Sequence, residues 1–277
     1  MKYPSSIVVV RKDGTTYDLG PMGFHVKTFD PPSANNTHTF QQIGRHGAEL
    51  LNSEAGQITI PLVLDITAYD IQDFELKRMK LSRIFSTQEE FYVSTVRMPY
   101  LRWKVIAEAF TMPQLNSYWK ASGVTINLVC AEGYAESVGT TMDPFTYKAG
   151  VWGMGNFLPH GKDLKYKWNT PLIKIYNAST IPLLAEEHPV KITFKGDAPY
   201  GVTLQNKTTG QKVELKHQLT KENTLVWYGL VPLVDGKQRY GNTWSNHGYL
   251  DFATGWNELE LTGSYDFEIS FDTHFYY

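Results

Sequence analysis

The sequence predicts a mainly-β protein with an N-terminal β-sandwich-like domain that carries one α-helix, followed by a C-terminal β-sandwich. Short runs of β-branched and aromatic residues alternate with clusters of Gly, Pro, Asn and Asp along most of the chain, as in proteins built from short strands. Only one segment has the length and composition of a long helix. The predicted strands are Ile7 to Val10, Gln57 to Leu64, Phe91 to Val96, Trp103 to Ala107, Val124 to Val129, Leu172 to Tyr176, Val190 to Phe194, Val202 to Leu204, Lys212 to Leu215, Thr224 to Tyr228, Glu258 to Leu261 and Asp266 to Phe271.

The last two strands have the clearest alternation, with apolar side chains at every second position and mainly acidic or polar residues between them. This pattern is typical of antiparallel strands with one face on a core and one face in water. The stretch Thr262-Gly263-Ser264 between them predicts a hairpin turn.

The helix is predicted over Tyr69 to Phe85, which lacks Gly and Pro. Asp70 is a suitable N-cap, and basic residues follow towards the other end, as the helix dipole favours. Arg78 falls inside the apolar arc, so it either extends to solvent or pairs with a carboxylate. At 100° per residue, the predicted core face comprises Ile71, Phe74, Leu81, Ile84 and Phe85.

The segment between Cys130 and Leu172 is rich in Gly, Pro and small polar residues, which marks a domain boundary. We place the change of domain near Met142, giving domains 1–141 and 142–277. The second domain is then all-β.

Composition narrows the class of function. The net charge is −2, so the chain lacks the basic field of a nucleic-acid-binding protein. Charged residues are sparse at 19% while aromatic residues reach 14%, which favours lasting contacts with partner proteins.

Cys130 is the single thiol and lies in an apolar run, which indicates a buried structural cysteine. No signal peptide or membrane-spanning segment is expected, and a reducing cytosol is the expected site of synthesis.

Patterns that carry catalysis or bind cofactors are weak. The eight histidines do not form a metal-binding spacing, and the GxxGxG stretch at residues 150–155 lacks the context of a phosphate-binding loop. Paired acids such as Asp70 and Asp73, or Glu258 and Glu260, are better explained as a helix cap and as the solvent face of a strand. The sequence therefore predicts no enzyme, no cofactor and no metal.

One loop has the composition of a sugar-binding site. Trp244, Asn246 and Tyr249 combine aromatic faces for stacking on a pyranose with an amide that could bind hydroxyl groups. The same composition fits a packed loop, because aromatic residues in β-sandwiches mostly belong to the core or to an interface.

The order of segments resembles the distal tail proteins of siphophages, bacteriophages with long, non-contractile tails. The resemblance begins with the loop from Ile43 to Leu51, the strand ITIPLVLD and the helix FELKRMKLSRIF. It continues through EEFYVSTVRMPYLRWKV and ends at GWNELELTGSYDFEISFDTHFYY. The order, the spacing and the two-domain length carry this resemblance together.

The resemblance implies a homo-hexameric hub at the tail tip, in which first domains form a ring and second domains are galectin-like β-sandwiches. Such a protein joins the tail tube protein to the tail-associated lysin or receptor-binding proteins. It would assemble in the host cytoplasm, reside in the virion tail tip and catalyse no reaction. Relatives often have an acidic residue at the position of His46, so the resemblance assigns this histidine no role.

Two predictions concern surfaces. Leu76 and Met79 project away from the core face of the helix, where they are either ordinary surface residues or covered by a neighbouring subunit. In a ring they are the expected subunit contacts, and the loop around Arg45 and Gly47 is the next candidate. The alternative function is a carbohydrate-binding protein for host recognition that uses Trp244, Asn246 and Tyr249. An enzyme acting on cell-wall glycan is a third, weaker alternative.

Overall fold

Antiparallel strands form most of the secondary structure in the computed structural model of the protein, which describes residues 6–86, 88–115, 120–239, 241 and 243–277. The predicted mainly-β class is confirmed. The chain divides into two units, Met1–Glu136 (unit 1) and Ser137–Tyr277 (unit 2). The division lies a few residues before Met142, where the sequence pattern changes.

Unit 1 contains one helix and ten strands, the last of which straddles the division. Its elements are β1 (Ile7–Val10), β2 (Thr16–Asp18), β3 (Phe24–Phe29), β4 (Asn35–Gln42), β5 (Ala48–Gly56), β6 (Ile58–Thr67), α1 (Ile71–Phe85), β7 (Phe91–Thr95), β8 (Met98–Ala107), β9 (Lys120–Cys130) and β10 (Glu136–Ser137). Seven of these strands follow the order β2-β1-β7-β8-β9-β6-β3, while β4 and β5 form a separate two-stranded sheet.

The core of unit 1 is built around β6 and β9, which pair from Ile58 opposite Cys130 to Thr67 opposite Lys120. Both strands bury every second side chain over most of their length, as period-2 alternation requires. Cys130 is fully buried, and burial raises the pKa of its thiol above the usual value. This agrees with a structural cysteine, since the raised pKa disfavours the nucleophilic thiolate.

The helix begins as predicted: the Asp70 side chain accepts a hydrogen bond from the Asp73 N–H at 2.6 Å and so caps the first turn. Four of its five predicted core residues are buried. Ile71, the first helical residue, is the exception, with 56% of its surface exposed. Arg78 pairs with Glu75 at 3.0 Å, one of the two alternatives that the sequence left open.

Unit 2 contains ten further strands in two sheets. They are β11 (Lys167–Trp168), β12 (Leu172–Asn177), β13 (Lys191–Gly196), β14 (Val202–Asn206), β15 (Lys212–Leu215), β16 (Leu225–Tyr228), β17 (Val231–Val234), β18 (Lys237–Gln238), β19 (Gly255–Thr262) and β20 (Phe267–Asp272). The order β11-β20-β13-β16-β17-β18 forms one sheet and β12-β19-β14-β15 the other. Alternate side chains of both sheets meet in one apolar core, as in a β-sandwich.

The predicted hairpin between the last two strands is wrong. β19 pairs with β12 and β14, whereas β20 pairs with β11 and β13, so the connection at Gly263 crosses from one sheet to the other. Gly263 has a φ of +96°, and a Cβ at this position would lie 2.3 Å from the carbonyl oxygen of Gly201. The turn-like composition therefore reflects a close backbone approach, a second common use of glycine.

The Gly-rich stretch that follows the division packs on the core of unit 2. It contains two short 3₁₀ turns, Tyr147–Ala149 and Met154–Asn156. Between them, the buried Trp152 stacks on Phe145 with ring centroids 4.8 Å apart. A single large aromatic side chain thus fixes a stretch whose composition indicates only turns.

Candidate functional site

The β4–β5 hairpin is the most exposed element of unit 1. Its strands pair only with each other, from Asn35 opposite Gly56 to Gln42 opposite Ala48. All residues from 35 to 55 are exposed to solvent, on both faces of the hairpin. Isolated two-stranded sheets are marginally stable in water at best, so this hairpin needs a partner surface to be held in place.

Large apolar side chains lie on this hairpin. Phe40 and Leu50 are directly opposite each other across the two strands. Leu51 is the extra residue at a register shift between Thr39 and Phe40, as in a β-bulge. Ile43 adds a fourth at the start of the turn, and each of the four exposes more than half of its surface. Fully burying such a side chain contributes about 1.5 to 3 kcal/mol, so the hairpin offers enough apolar surface for a stable contact.

Arg45 and Gly47, the first predicted contact residues, lie in the turn of this hairpin. The turn is closed by a hydrogen bond from the Ile43 N–H to the Gly47 carbonyl oxygen at 3.1 Å. Gly44 and Gly47 adopt positive φ values of 60° and 87°, which accounts for both glycines as turn residues. Arg45 and His46 between them are exposed, so their side chains are available to a partner at the tip.

The structure places Leu76 and Met79 on the solvent side of α1, one turn apart. Tyr69 and Ile71 add exposed apolar surface at the start of the same helix. The helix therefore presents a second group of exposed apolar side chains in unit 1.

Trp244, the centre of the predicted sugar site, packs against two neighbouring side chains. The His217 ring stacks on it with centroids 3.8 Å apart and planes 8° from parallel. The Arg239 guanidinium lies 4.4 Å from the indole centroid. These contacts occupy ring surface on which a sugar would stack.

Asn246 serves the loop itself. Its side-chain oxygen accepts from the Glu214 N–H at 2.9 Å, and its amide nitrogen donates to the Lys212 carbonyl oxygen at 3.1 Å. Tyr249 stays partly exposed. The structure thus brings these residues into one loop but leaves only Tyr249 of the three open to a ligand.

The acidic residues considered for catalysis are engaged elsewhere. Glu258 pairs with Lys174 at 3.0 Å and Glu260 with Lys207 at 2.7 Å, both on the outer face of the four-stranded sheet. Among the described residues, no three His, Cys, Asp or Glu side chains converge to hold a metal ion. The part of the chain that the structure describes also contains no helix of sufficient length and apolar character to cross a membrane.

The hairpin is the feature that sequence reasoning missed. Its strands, NNTHTFQQ and AELLNSEAG, are mostly polar and lack a regular apolar alternation, so they carry no strand signal of their own. A usable signal was the turn: a pair of glycines three residues apart, with Phe40 before the pair and Leu50 after it.

Comparison with known proteins finds similarity to phage tail proteins. Residues 12–130 match the family of the phage tail protein RIFT-related domain. The Dit protein of phage SPP1, described as a paradigm of the hub adsorption apparatus in Gram-positive-infecting phages, is similar in fold with a TM-score of 0.69. It is 10% identical, with 97% of this chain and 99% of that chain covered.

Two chains of the phage P2 baseplate in its activated conformation also match, one with Ca and one with Sr. The TM-score is 0.49 for each, with identities of 8% and 9%. The match covers 97% of each chain in the first case, and 96% of this chain and 97% of that chain in the second. No curated protein matches the sequence.

By this match, residues 12–130 are similar to a domain found in phage tail proteins. The resemblance to siphophage distal tail proteins is confirmed by this domain together with the fold shared with SPP1 Dit.

Proposed function

We propose that this protein is the structural hub of a phage tail tip, assembled as a ring of six copies. The observation that carries the proposal is the β4–β5 hairpin, an exposed apolar element without a partner sheet inside a phage tail domain. A hairpin that contacts a different surface on the next copy makes a head-to-tail interface, and such interfaces close into rings. The number six comes from the resemblance to distal tail proteins.

The neighbours of this ring would be the tail tube protein on one side and the tail-associated lysin or receptor-binding proteins on the other. Unit 1 supplies the ring, and unit 2 is a galectin-like sandwich at its periphery. The role requires no cofactor and no catalysis. It places the protein in the virion at the tail tip, after assembly in the host cytoplasm.

Light scattering on the purified chain tests the ring. The expected mass is near six times the 31.5 kDa of one copy. Introducing Phe40→Asp with Leu50→Asp would bring two charges into a desolvated contact, and every copy uses that contact twice. We expect folded monomers with an unchanged circular dichroism spectrum.

Two variants locate the interface. Tyr200→Asp with Tyr265→Asp adds the same charges at two almost fully exposed residues of unit 2 and should leave the ring intact. Leu76→Asp with Met79→Asp tests the helix surface in the same way. A monomeric wild type at high concentration contradicts the ring, and an intact ring in the hairpin variant moves the interface to the helix.

The carbohydrate-binding alternative has less support, because His217 and Arg239 pack against the Trp244 ring and Asn246 is used within its loop. Trp244→Ala should not change binding to purified host wall. Loss of glycan binding with the fold retained would favour this alternative over the hub.

A further inference from the structure

A groove lies at one end of the six-stranded sheet of unit 2, where β13 ends and β20 begins. Its volume is about 510 Å³, within the range of about 300 to 1,000 Å³ that is usual for ligand pockets. Polar and aromatic residues from four segments of the chain border this one space, namely Asn169, Lys195, Lys221, Tyr265, Asp266 and Glu268.

Hydrogen bonds and strand pairing join the segments that border the groove. The Asp197 N–H donates to the Asp266 carbonyl oxygen at 3.2 Å, and the Lys221 N–H donates to an Asp197 carboxylate oxygen at 3.0 Å. The Lys221 ammonium also pairs with the Asp266 carboxylate. Lys195 and Glu268 are directly opposite each other on β13 and β20. The fold therefore sets the positions of these residues relative to one another.

Three polar side chains of the groove have no partner within the described part of the chain. Asn169, Lys195 and Glu268 make no side-chain hydrogen bond and no ion pair there. On the other sheet of unit 2, Lys174 and Glu258 are also directly opposite each other, but they pair at 3.0 Å. The hydrogen-bonding groups of the three groove residues are thus available to a ligand.

An aromatic ring borders the same groove. Tyr265 is 99% exposed, so both faces of its ring are open to solvent. The backbone on either side of it is anchored, because Ser264 and Phe267 are both buried. A tyrosine supplies a large contact area and has few rotatable bonds to immobilise, which makes it well suited to stacking on a ligand.

The charges in the groove balance and so narrow the class of ligand. Lys195 and Lys221 supply two positive charges, and Asp266 and Glu268 supply two negative ones. An anion or a cation would meet like charges as well as opposite charges there, which disfavours both. Neutral hydroxyl groups can donate to the carboxylates and accept from the ammonium and amide groups.

We propose that this groove binds a neutral oligosaccharide, with one sugar ring stacked on Tyr265 and hydroxyl groups bound by Asn169, Lys195 and Glu268. The C–H groups on one face of a pyranose supply the apolar surface that stacks on an aromatic ring. A peptide is less suited, because only Tyr265 among the lining residues exposes a large apolar side chain.

The groove is separate from the loop that contains Trp244. Ser245, the next residue, bridges to Leu215 of β15, which belongs to the four-stranded sheet. The proposed site also lies in unit 2, so it does not depend on the six-copy ring.

A glycan array probed with the full chain tests the proposal. The neutral probes are chitohexaose, cellohexaose, maltohexaose and mannan, and the anionic probes are polygalacturonate and a glycerol phosphate teichoic acid. We expect binding to at least one neutral probe and to neither anionic probe. The affinity for the neutral probe should change little as salt is raised, since the ligand carries no charge to be screened.

Variants assign the binding to the groove. Tyr265→Ala should weaken binding of the neutral probe about tenfold or more, whereas Tyr265→Phe keeps the stacking ring and should retain most of it. Lys195→Gln with Glu268→Gln should also weaken binding and leaves the net charge unchanged. Tyr200→Ala removes a tyrosine that is 94% exposed and does not line the groove, so it should change nothing. Trp244→Ala should likewise have no effect.

Four outcomes would overturn the proposal. They are absence of binding to every neutral probe, binding to the anionic probes alone, wild-type binding by Tyr265→Ala, and an equal loss in Tyr200→Ala. Circular dichroism of each variant checks that the fold is retained. Light scattering on the same samples reports the ring separately, so failure of this site is distinguishable from failure of the hub.

Discussion

At the residue scale, the connection between the two sheets of unit 2 depends on glycines that meet backbone to backbone. Gly263 combines a φ of +96° with a neighbouring carbonyl oxygen at 2.3 Å from the position of a Cβ. Gly210 has a similar φ of +79° but open space around that position. Alanine substitutions at the two glycines therefore separate two destabilising effects. Both place a side chain in a left-handed backbone conformation, but only the substitution at Gly263 adds a steric clash.

Gly263→Ala is expected to destabilise the protein by about 3 kcal/mol or more, because strain and clash act together. Gly210→Ala should cost only about 1 kcal/mol, from strain alone. Urea denaturation followed by circular dichroism measures both. Equal costs for the two variants would mean that the sheet crossing at Gly263 is looser than the structure indicates.

Asp65 is the second residue with a clear expected effect, and here the effect depends on pH. Partial burial by itself raises the pKa of Asp65, but hydrogen bonds from the Lys27 ammonium and the Gly123 N–H outweigh it and leave the pKa below its usual value. A carboxyl group whose pKa is lowered by folding stabilises the protein above its unfolded-state pKa. This contribution is lost as the pH falls through the lower, folded-state pKa.

Asp65→Asn should therefore lower the free energy of unfolding by about 1 kcal/mol near neutral pH. The difference from the wild type should shrink in acid and disappear below the folded-state pKa. Urea denaturation from neutral pH down to about pH 2 gives the two curves. Parallel curves across this range would show that the carboxylate makes no net ionic contribution.

At the scale of elements, a strand is predicted well from the sequence when burial of one face requires an apolar side chain at every second position. β6 and β9 bury alternate side chains against one core, and a strand was predicted at each place. β6 ends three residues later than predicted, and β9 begins four residues earlier. The hairpin of β4 and β5 was missed for the opposite reason. Its side chains contact no core within the chain, so no periodic constraint acts on its sequence.

The pairing of β19 and β20 shows a second limit. Both strands were predicted correctly, and their separation by a short turn-like stretch favoured a hairpin. Which strand pairs with which is decided by long-range contacts, here with β12, β14, β11 and β13, and these leave no trace in the local sequence. The same limit applies to Trp244: the composition of its loop fits a sugar site, but His217, distant in sequence, and Arg239 pack against its ring.

Shortening the hairpin tests its role as an element. Because Asn36 lies opposite Ala55, residues 37–54 can be replaced by Asn-Gly to close a tight turn. We expect the thermal unfolding midpoint to change little, since among the described strands β4 and β5 pair only with each other. We expect the ring to be lost on light scattering. A large fall in the midpoint would show that the hairpin stabilises the fold of the single chain and would contradict a role confined to assembly.

At the scale of the whole molecule, the position of the division decides which fragments fold. Unit 2 begins at Ser137, and its first residues are joined to its last ones by hydrogen bonds. The Ser137 N–H donates to the Phe275 carbonyl oxygen at 2.8 Å, and the Thr141 N–H donates to the Thr273 carbonyl oxygen at 3.0 Å. The Thr141 hydroxyl also donates to the Phe271 carbonyl oxygen at 2.5 Å.

Two fragments test this arrangement. Fragment 137–277 should be soluble and unfold cooperatively, because it contains the complete apolar core of the sandwich. Fragment 142–277, which begins where the sequence pattern changes, lacks the segment that pairs with residues 271–275 and leaves buried backbone groups without partners. Each such group costs about 1 to 3 kcal/mol, so the shorter fragment should unfold at a clearly lower temperature or aggregate. Equal melting temperatures for the two would show that residues 137–141 act as a linker and that the sandwich begins at Met142.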